Sequence, residues 1–585
     1  MRSAGLYRRE PKVPPPIGDI RMKEWVFPLL LSALLIIIVG IPYWEAFARQ
    51  SPSERFMGLV GADAIDDNNV YLALMRQAAE GRTLFTNNFT PEPNPPALFN
   101  FLYLSLGRLS GWMGWSLDFT HRLFGAVSIV LLVLTAYSFI ATGIRRPFYR
   151  RFALLLAVFG GGLLWFARIV LRTTGLDLRP VGSWLVELDL FHAMIVYPHF
   201  IFAAALMTGS LALLLKSERV RRFGPAVAAG CCAAVLAASH AFEAVAFVPI
   251  AGMYLLLDAL GVGRLPGWNR LRSVAIVLGL PLGMLFFNRL ILEMEPRWGD
   301  VVSRLNFATP EPFRLGMGLG ASFIIAVLTF DGLLRMRRTS GERMAKAWVL
   351  TVLILAYLPY INWRWHLLNG IQIPLALLAT QGLRRTAFRR ILLRRRFRKL
   401  TPSRPRSLWA PPAILATMGV TLVVCCLSTA NLFLSYRHQV RVLEAPTYLP
   451  STQLAAMDWM NRQVSRDALV LASYATGNYV PRMSGQRVFI GEDMLTNDME
   501  ARMRDIRLFY SAEWDDSKRI GLLSRFGIGY VYYGPDERKL GSYDPDGAAF
   551  LTRVYDDGGI KIFEVKGAAA DAHTSKPAVT GGGMP

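Results

Sequence analysis

The hydrophobic positions of this chain change character near residue 435. Before that point they form long apolar runs, and a run of ~20 mostly apolar residues, or ~17 at the short end, is what a membrane-crossing helix requires. Eleven such runs are predicted as spans, at 25–41, 123–141, 152–171, 194–215, 226–239, 244–260, 273–292, 315–334, 347–362, 370–383 and 408–434. The fifth and sixth form one stretch interrupted by His240-Ala-Phe-Glu243. Beyond residue 435 the runs shorten and alternate. Pro450-Ser451 opens a helix with Leu454, Met457 and Met460 at helical spacing, and 468–472 reads as a buried strand. Segments 495–510 and 517–526 read as helices, 529–533 as a strand, and 551–555 with 560–565 as a hairpin through Asp557-Gly558-Gly559. The expected fold class is therefore a polytopic α-helical membrane protein of about eleven spans with a C-terminal extracytoplasmic α/β domain. Its parts are an N-terminal segment 1–24, a membrane domain 25–435 with a long first outer loop 42–122, a separate domain 436–566, and a disordered tail 567–585 rich in Ala, Gly, Pro and Thr.

Composition agrees with the pattern. The 585 residues are 53% hydrophobic and 18% charged, whereas soluble domains lie near 45–50% and ~25%. The four cysteines form two adjacent pairs, Cys231-Cys232 and Cys425-Cys426, inside apolar runs; neither a disulfide framework nor a CxxC metal spacing follows. The first run has no small-residue cleavage site after it and reads as a retained anchor.

The net charge of +23 divides unevenly. Residues 436–585 hold 18 Lys/Arg against 19 Asp/Glu, so the first 435 residues carry all of the excess. That excess is concentrated in alternate connecting segments, above all 384–406 with eleven Lys/Arg. Basic loops face the cytoplasm, which puts the N-terminus inside and, after an odd number of spans, the C-terminal domain outside. Both flanks of the His240 stretch are basic, with Lys216, Arg219, Arg221 and Arg222 before it and Arg264, Arg270 and Arg272 after, so it reads as a hairpin. The basic charge thus orients spans and meets anionic lipid rather than nucleic acid. The expected location is a bacterial inner membrane, multi-pass.

Chemistry is concentrated on the outer side. In loop 42–122, Gly61-Ala-Asp63-Ala-Ile-Asp66-Asp67-Asn68-Asn69-Val70-Tyr71 precedes a helix expected at 71–80. One of these acids could cap that helix, but a cap needs one residue and three carboxylates are present. Five histidines, His121, His192, His199, His240 and His366, fall at the outer edge of the predicted spans. His240 and Glu243, at i and i+3, share a helical face in the manner of a metal pair or meet interfacial water in a hairpin turn. Tyr197-Pro198-His199 reads as a kinked helix end before it reads as a ligand. Gly160-Gly161-Gly162 and Gly316, Gly318 and Gly320 lie in apolar runs and suit close helix packing; no P-loop or dinucleotide fingerprint occurs.

An acid soon after the first span, a Tyr four residues on, a helix ending in Gly and a Pro-containing segment toward the second span resemble the GT-C glycosyltransferases, among them protein O-mannosyltransferases and lipid A aminoarabinose transferases. The residues are Asp67 to Tyr71, Met75-Arg76, Gly81 and Glu92-Pro93-Asn94-Pro95-Pro96. Segments 357–374, 476–481 and 532–535 look like those of uncharacterised bacterial relatives. The family's Asp-Glu pair stands here as Asp66-Asp67, so Asp63, Asp66 and Asp67 all stay open as the acting residue.

The resemblance implies a cell-envelope enzyme that moves a hexosyl or pentosyl group from a polyprenyl-phosphate donor to a glycan, lipid or protein acceptor on the outer side. It implies Asp67 as general base with Asp66 as partner or metal ligand. Arg364 and His366 become candidates for the donor phosphate, and Asp63, Tyr71, His199, His240 and Glu243 for substrate contacts. The one cofactor left open is a divalent metal, Mg or Mn, on Asp63, Asp66 and Asp67. The rival readings are a transporter or glycan flippase, which would show paired halves and midplane charges, and a non-catalytic scaffold.

Overall fold

The computed structural model describes residues 20–178, 185–262, 265–294, 301, 304, 310–328, 339–397, 412–442 and 446–567. The segment before residue 20, residues 398–411 of the Arg-rich run and the end beyond 567 lie outside them. Eleven helices lead from the N-terminus into the bundle: α1 (Val26–Arg49), α2 (Ala62–Ala79), α3 (Phe101–Met113), α4 (Leu117–Gly143), α5 (Pro147–Phe159), α6 (Leu164–Thr174), α7 (Leu190–Val196), α8 (Pro198–Val220), α9 (Gly224–Ser239), α10 (Ala241–Val262) and α11 (Trp268–Met294). Further long helices are Pro312–Leu328, Ser340–Ala356, Gln372–Phe397 and Pro412–Gln439.

Among the described residues six helices are long and apolar enough to cross a membrane: Met22–Arg49, Leu117–Gly143, Pro198–Val220, Ala241–Leu260, Trp268–Met294 and Leu415–Gln439. The pair α5 and α6 makes a seventh if its 49° bend is counted inside one span. Other apolar runs fall on shorter helices, Gly224–Ser239 and Pro312–Val327, or on Gln372–Phe397, whose apolar half gives way to arginines.

The bend between α5 and α6 has a steric cause. A Cβ on Gly162 would lie 2.7 Å from the carbonyl oxygens of Met317 and Gly318, and one on Gly320 would lie 2.9 Å from that of Gly161. Two backbones touch here, as only glycine permits. The break between α9 and α10 falls at His240, whose backbone leaves the helical region at φ −149°, ψ 85°.

The tail holds a five-stranded sheet in the order β4-β3-β5-β7-β6, formed by β3 (Leu469–Leu471), β4 (Arg487–Val488), β5 (Tyr530–Tyr533), β6 (Leu551–Asp557) and β7 (Ile560–Val565). β3 pairs parallel with β4 and β5, and β7 antiparallel with β5 and β6. A separate ladder joins β1 (Glu54–Phe56) of the first outer loop to β2 (Tyr448–Pro450).

The tail was expected as a separate domain, yet it shares a core with that loop. Ile65, Leu72 and Met75 of α2 pack in one cluster with Met457, Met460, Val470 and Tyr532 of the tail. Buried Arg482 crosses the same boundary, donating to Asn69 Oδ1 (2.8 Å), Met57 O (2.6 Å) and Asp118 Oδ1 (2.6 Å). Segment 42–122 and the tail are therefore one folded layer.

Candidate functional site

α2 begins at Ala62, nine residues before the expected helix. Asp66 and Asp67 thus lie inside the helix, and the cap position is Gly61, which makes no side-chain hydrogen bond. The capping account of the aspartates is overturned. Gly61 has φ +94°, and a Cβ there would lie 2.8 Å from Val196 and 3.0 Å from Tyr436, so the helix start is pressed against two other elements.

Consecutive helical residues point ~100° apart, and the two aspartates meet different partners. Asp66 faces the tail, where the Tyr474 hydroxyl donates to it at 2.7 Å. Asp67 faces the break between α7 and α8, where the Tyr197 hydroxyl donates to it at 2.5 Å. That break exists because α7 ends at Val196 and Pro198 opens α8, leaving Tyr197 at φ −130°, ψ 80°. Asn68 fastens the same junction, donating to Ala64 O (2.7 Å) and Val196 O (3.0 Å).

Beside Asp67 lies a cavity of about 450 Å³. Its wall combines Asp67 and Tyr71 of α2, Glu187 and His192 ahead of and on α7, Tyr197, His240 and Phe242 at the α9–α10 break, Trp365 and His366, and Glu492 of the tail. Behind this wall His199 stacks edge-on against Tyr71, with ring centroids 4.5 Å apart, and lies 5.4 Å from the His240 ring.

Two histidines are each held by a carboxylate at Nδ1. His366 Nδ1 lies 2.5 Å from Glu187 Oε1, and His240 Nδ1 is bonded to Glu243. Buried Glu243 also accepts from Asn369 at 2.6 Å. A carboxylate can only accept, so Nδ1 carries the hydrogen in both rings. Nε2 is then a proton acceptor or, in the imidazolium that the carboxylate stabilises, a donor to an anion. Phe242 stacks on His366 at 4.8 Å and edge-on to His240 at 5.3 Å, spacing the pair.

Burial pushes the Asp67 carboxyl above its ordinary range; the Tyr197 hydrogen bond opposes this and the charge of Asp66 adds to it. Asp66 is raised by burial, with Tyr474 opposing. Glu492 is pushed up to about 8, by burial first and by Asp67 second. Two buried carboxyls, both pushed above their ordinary range and the charge of one adding to the cost of ionising the other, thus face one cavity, the kind of pairing from which an acid and a base can be divided.

The sequence-predicted residues divide cleanly. Asp67, Tyr71, His240 and His366 line the cavity, while His199 and Glu243 stand directly behind it. Asp66 is turned to the tail, and the side chain of Asp63 lies outside the described residues. Arg364 does not line the cavity; its guanidinium donates to Ile361 O at 3.1 Å. It shares a 3₁₀ turn, Arg364–Leu368, with His366, and at three residues per turn side chains two apart point to different sides. Among the described residues no three His, Cys, Asp or Glu side chains are grouped so as to hold a metal ion. Asp66 and Asp67 face different partners, Tyr474 and Tyr197.

No protein-family model and no curated protein matches the chain. Solved structures do. The archaeal oligosaccharyltransferase AglB from Archaeoglobus fulgidus, in complex with an inhibitory peptide and a dolichol-phosphate, aligns at TM-score 0.54 and 12% identity over 88% of this chain and 70% of its own. The arabinofuranosyltransferase AftD from Mycobacteria aligns at TM-score 0.52 and 16% identity over 91% of this chain and 41% of its own. The fold is GT-C. Within that GT-C fold the residues that sequence reading did not select are Glu187, Tyr197 as a partner of Asp67, and Glu492. Glu187 stands between two apolar residues with nothing nearby to mark it. Glu492 follows the buried run Val488-Phe489-Ile490, so an acid just past a strand was the available signal.

Proposed function

We propose that this chain is an integral-membrane glycosyltransferase that moves a sugar from a polyprenyl-phosphate donor to an acceptor hydroxyl on the extracytoplasmic side, with Asp67 as general base. The observation that carries this reading is the convergence of Asp67, Tyr71, His240 and His366, from three distant parts of the chain, on one cavity. The GT-C fold and the dolichol-phosphate in the aligned AglB structure support a lipid-phosphate donor.

Asp67 takes the proton of the acceptor hydroxyl as its oxygen bonds to the anomeric carbon, and the bond from that carbon to the phosphate oxygen breaks. The polyprenyl phosphate leaves with the electron pair. Nε2 of His240 and His366 faces the same cavity and, in a ring that has taken a second proton from water, donates to that phosphate; the proton held by Asp67 returns to water after the products leave. In a largely apolar wall such hydrogen bonds to a developing charge count for more than in water. A cytoplasmic N-terminus and the outer position of the tail complete the proposal, on the distribution of Lys and Arg.

In membranes, Asp67→Asn is expected to cut transfer from a radiolabelled polyprenyl-phosphate sugar by ~10²–10⁴-fold without lowering protein level. Full activity in both Asp67→Asn and Asp66→Asn overturns the assignment. Substrate uptake into sealed vesicles that lack any acceptor is the result that would favour a transporter.

A further inference from the structure

The tail brings one ionisable side chain to the cavity, and its setting is built. Glu492 is 6% exposed and lies on a loop whose own amides, Met494 N at 3.1 Å and Leu495 N at 2.9 Å, bond to its two oxygens. The loop is clamped from outside the tail. Asn87 donates to Leu495 O at 2.8 Å, Thr496 donates to Phe89 O at 2.9 Å, and Arg304 donates to the carbonyls of Met494 and Thr496 at 3.1 and 3.0 Å. Among the described residues no Lys, Arg or His forms an ion pair with Glu492.

Its surroundings disfavour a second negative charge. Asp67 across the cavity and Asp493 on its own loop both oppose ionisation. Tyr71 of α2 and Tyr474 of the tail are phenols near enough to feel it. His192, His240, His366 and Glu187 line other parts of the wall, and Arg304 is committed to the loop carbonyls. A buried carboxyl without a cation adopts the neutral form. With both oxygens already accepting amides, its hydrogen is what remains to offer the cavity.

We propose that Glu492 is a substrate-binding residue of the active site, delivered by the tail, and that it donates a hydrogen bond as a neutral acid to a hydroxyl of the bound sugar while Asp67 acts as base. The proposal rests on the reading of the cavity as a sugar-transfer site and gives the tail a direct part in it. It also accounts for the clamp, because the loop must hold Glu492 in place from a layer the membrane helices do not contain.

The test is the pH profile of sugar transfer by the full-length protein in membranes, with a radiolabelled polyprenyl-phosphate sugar. Glu492→Ala is expected to lower transfer about tenfold, the scale of one lost hydrogen bond. Glu492→Gln, which can still donate, is expected to recover part of that loss and to lack the alkaline limb expected of wild type near 8. An alkaline limb that persists in Glu492→Gln, or a Gln variant weaker than Ala, overturns the proposal. Infrared pH titration of the purified wild type provides a readout independent of any variant's activity. A neutral-carboxyl band should vanish as pH rises through about 8 and be missing from Glu492→Ala; no such band overturns the proposal. Full activity in both Asp67→Asn and Asp66→Asn sinks the sugar-transfer site itself, whereas loss of activity in either with an unchanged Glu492→Gln profile sinks only the role of Glu492.

Discussion

Replacing Tyr197 by Phe removes one oxygen, the donor to Asp67 at 2.5 Å. The ring and its contacts with Phe200 at 5.1 Å and His199 at 5.5 Å are kept. A hydrogen bond to a charged group is worth ~1.5–3 kcal/mol, and this one stabilises the ionised carboxylate, lowering the Asp67 pKa against burial. Its removal raises that pKa further. A base acts only when ionised, so the acidic limb of the transfer profile moves to higher pH. On that limb the rate follows the ionised fraction, and at 1.36 kcal/mol per factor of ten the loss is roughly ten- to hundredfold. On the plateau, where Asp67 is ionised in either protein, the loss disappears. The assay is kcat/KM for sugar transfer in membranes against pH, since that ratio reports the free enzyme's ionisations. Tyr474→Phe is the matched control, removing the 2.7 Å bond to Asp66 instead; the acidic limb should stay in place. If Tyr474→Phe moves the limb and Tyr197→Phe does not, Asp66 is the base. If neither moves it, the reasoning from carboxylate to base is refuted.

Three further outcomes follow from the geometry. Glu187→Gln keeps an acceptor for His366 Nδ1–H but removes its charge, and should weaken binding of a polyprenyl phosphate about tenfold by equilibrium binding, the scale of a lost charge assistance; Arg364→Gln, outside the cavity wall, should leave that affinity near wild type. Gly61→Ala meets both a positive φ and Val196 at 2.8 Å, so a cost of ~1–3 kcal/mol should appear as a lower Tm in detergent. Arg482→Met leaves Met57 O and Asn69 Oδ1 without their donor, at ~1–3 kcal/mol each if buried and unsatisfied; limited proteolysis should then cut within segment 42–122 or within the tail faster than in wild type.

The long apolar runs and the acids of the first outer loop were legible because each is a local pattern. What failed was local chemistry that answers to distant partners. Asp63-Ala-Ile-Asp66-Asp67-Asn68-Asn69 reads as a helix start, since Asp and Asn are poor helix formers that favour caps. In the structure the same residues are the helix. Asp66 is bonded to Tyr474, Asp67 to Tyr197, Asn68 to Val196 and Asn69 to Arg482, partners 128 to 413 residues away. Those contacts offset a weak propensity, and nothing near Asp67 in the chain announces them.

The same reasoning explains Arg364 and Glu492. Arg364 stands out in the sequence by its charge and its place in a short loop, but sequence proximity to His366 does not fix direction on a 3₁₀ turn. Glu492 is unmarked in the sequence because the tail reads there as a separate domain. Its relevance depends on the shared core of Ile65, Leu72 and Met75 with Met457 and Val470, which brings the tail loop over the bundle. A tail packed through its own closed core could be removed without touching the cavity. This one carries a cavity wall on a loop clamped by Asn87, Phe89 and Arg304. Deleting the tail should therefore abolish transfer even where the membrane helices stay folded and inserted, whereas a tail that only recruited acceptor would leave transfer to a small soluble acceptor intact.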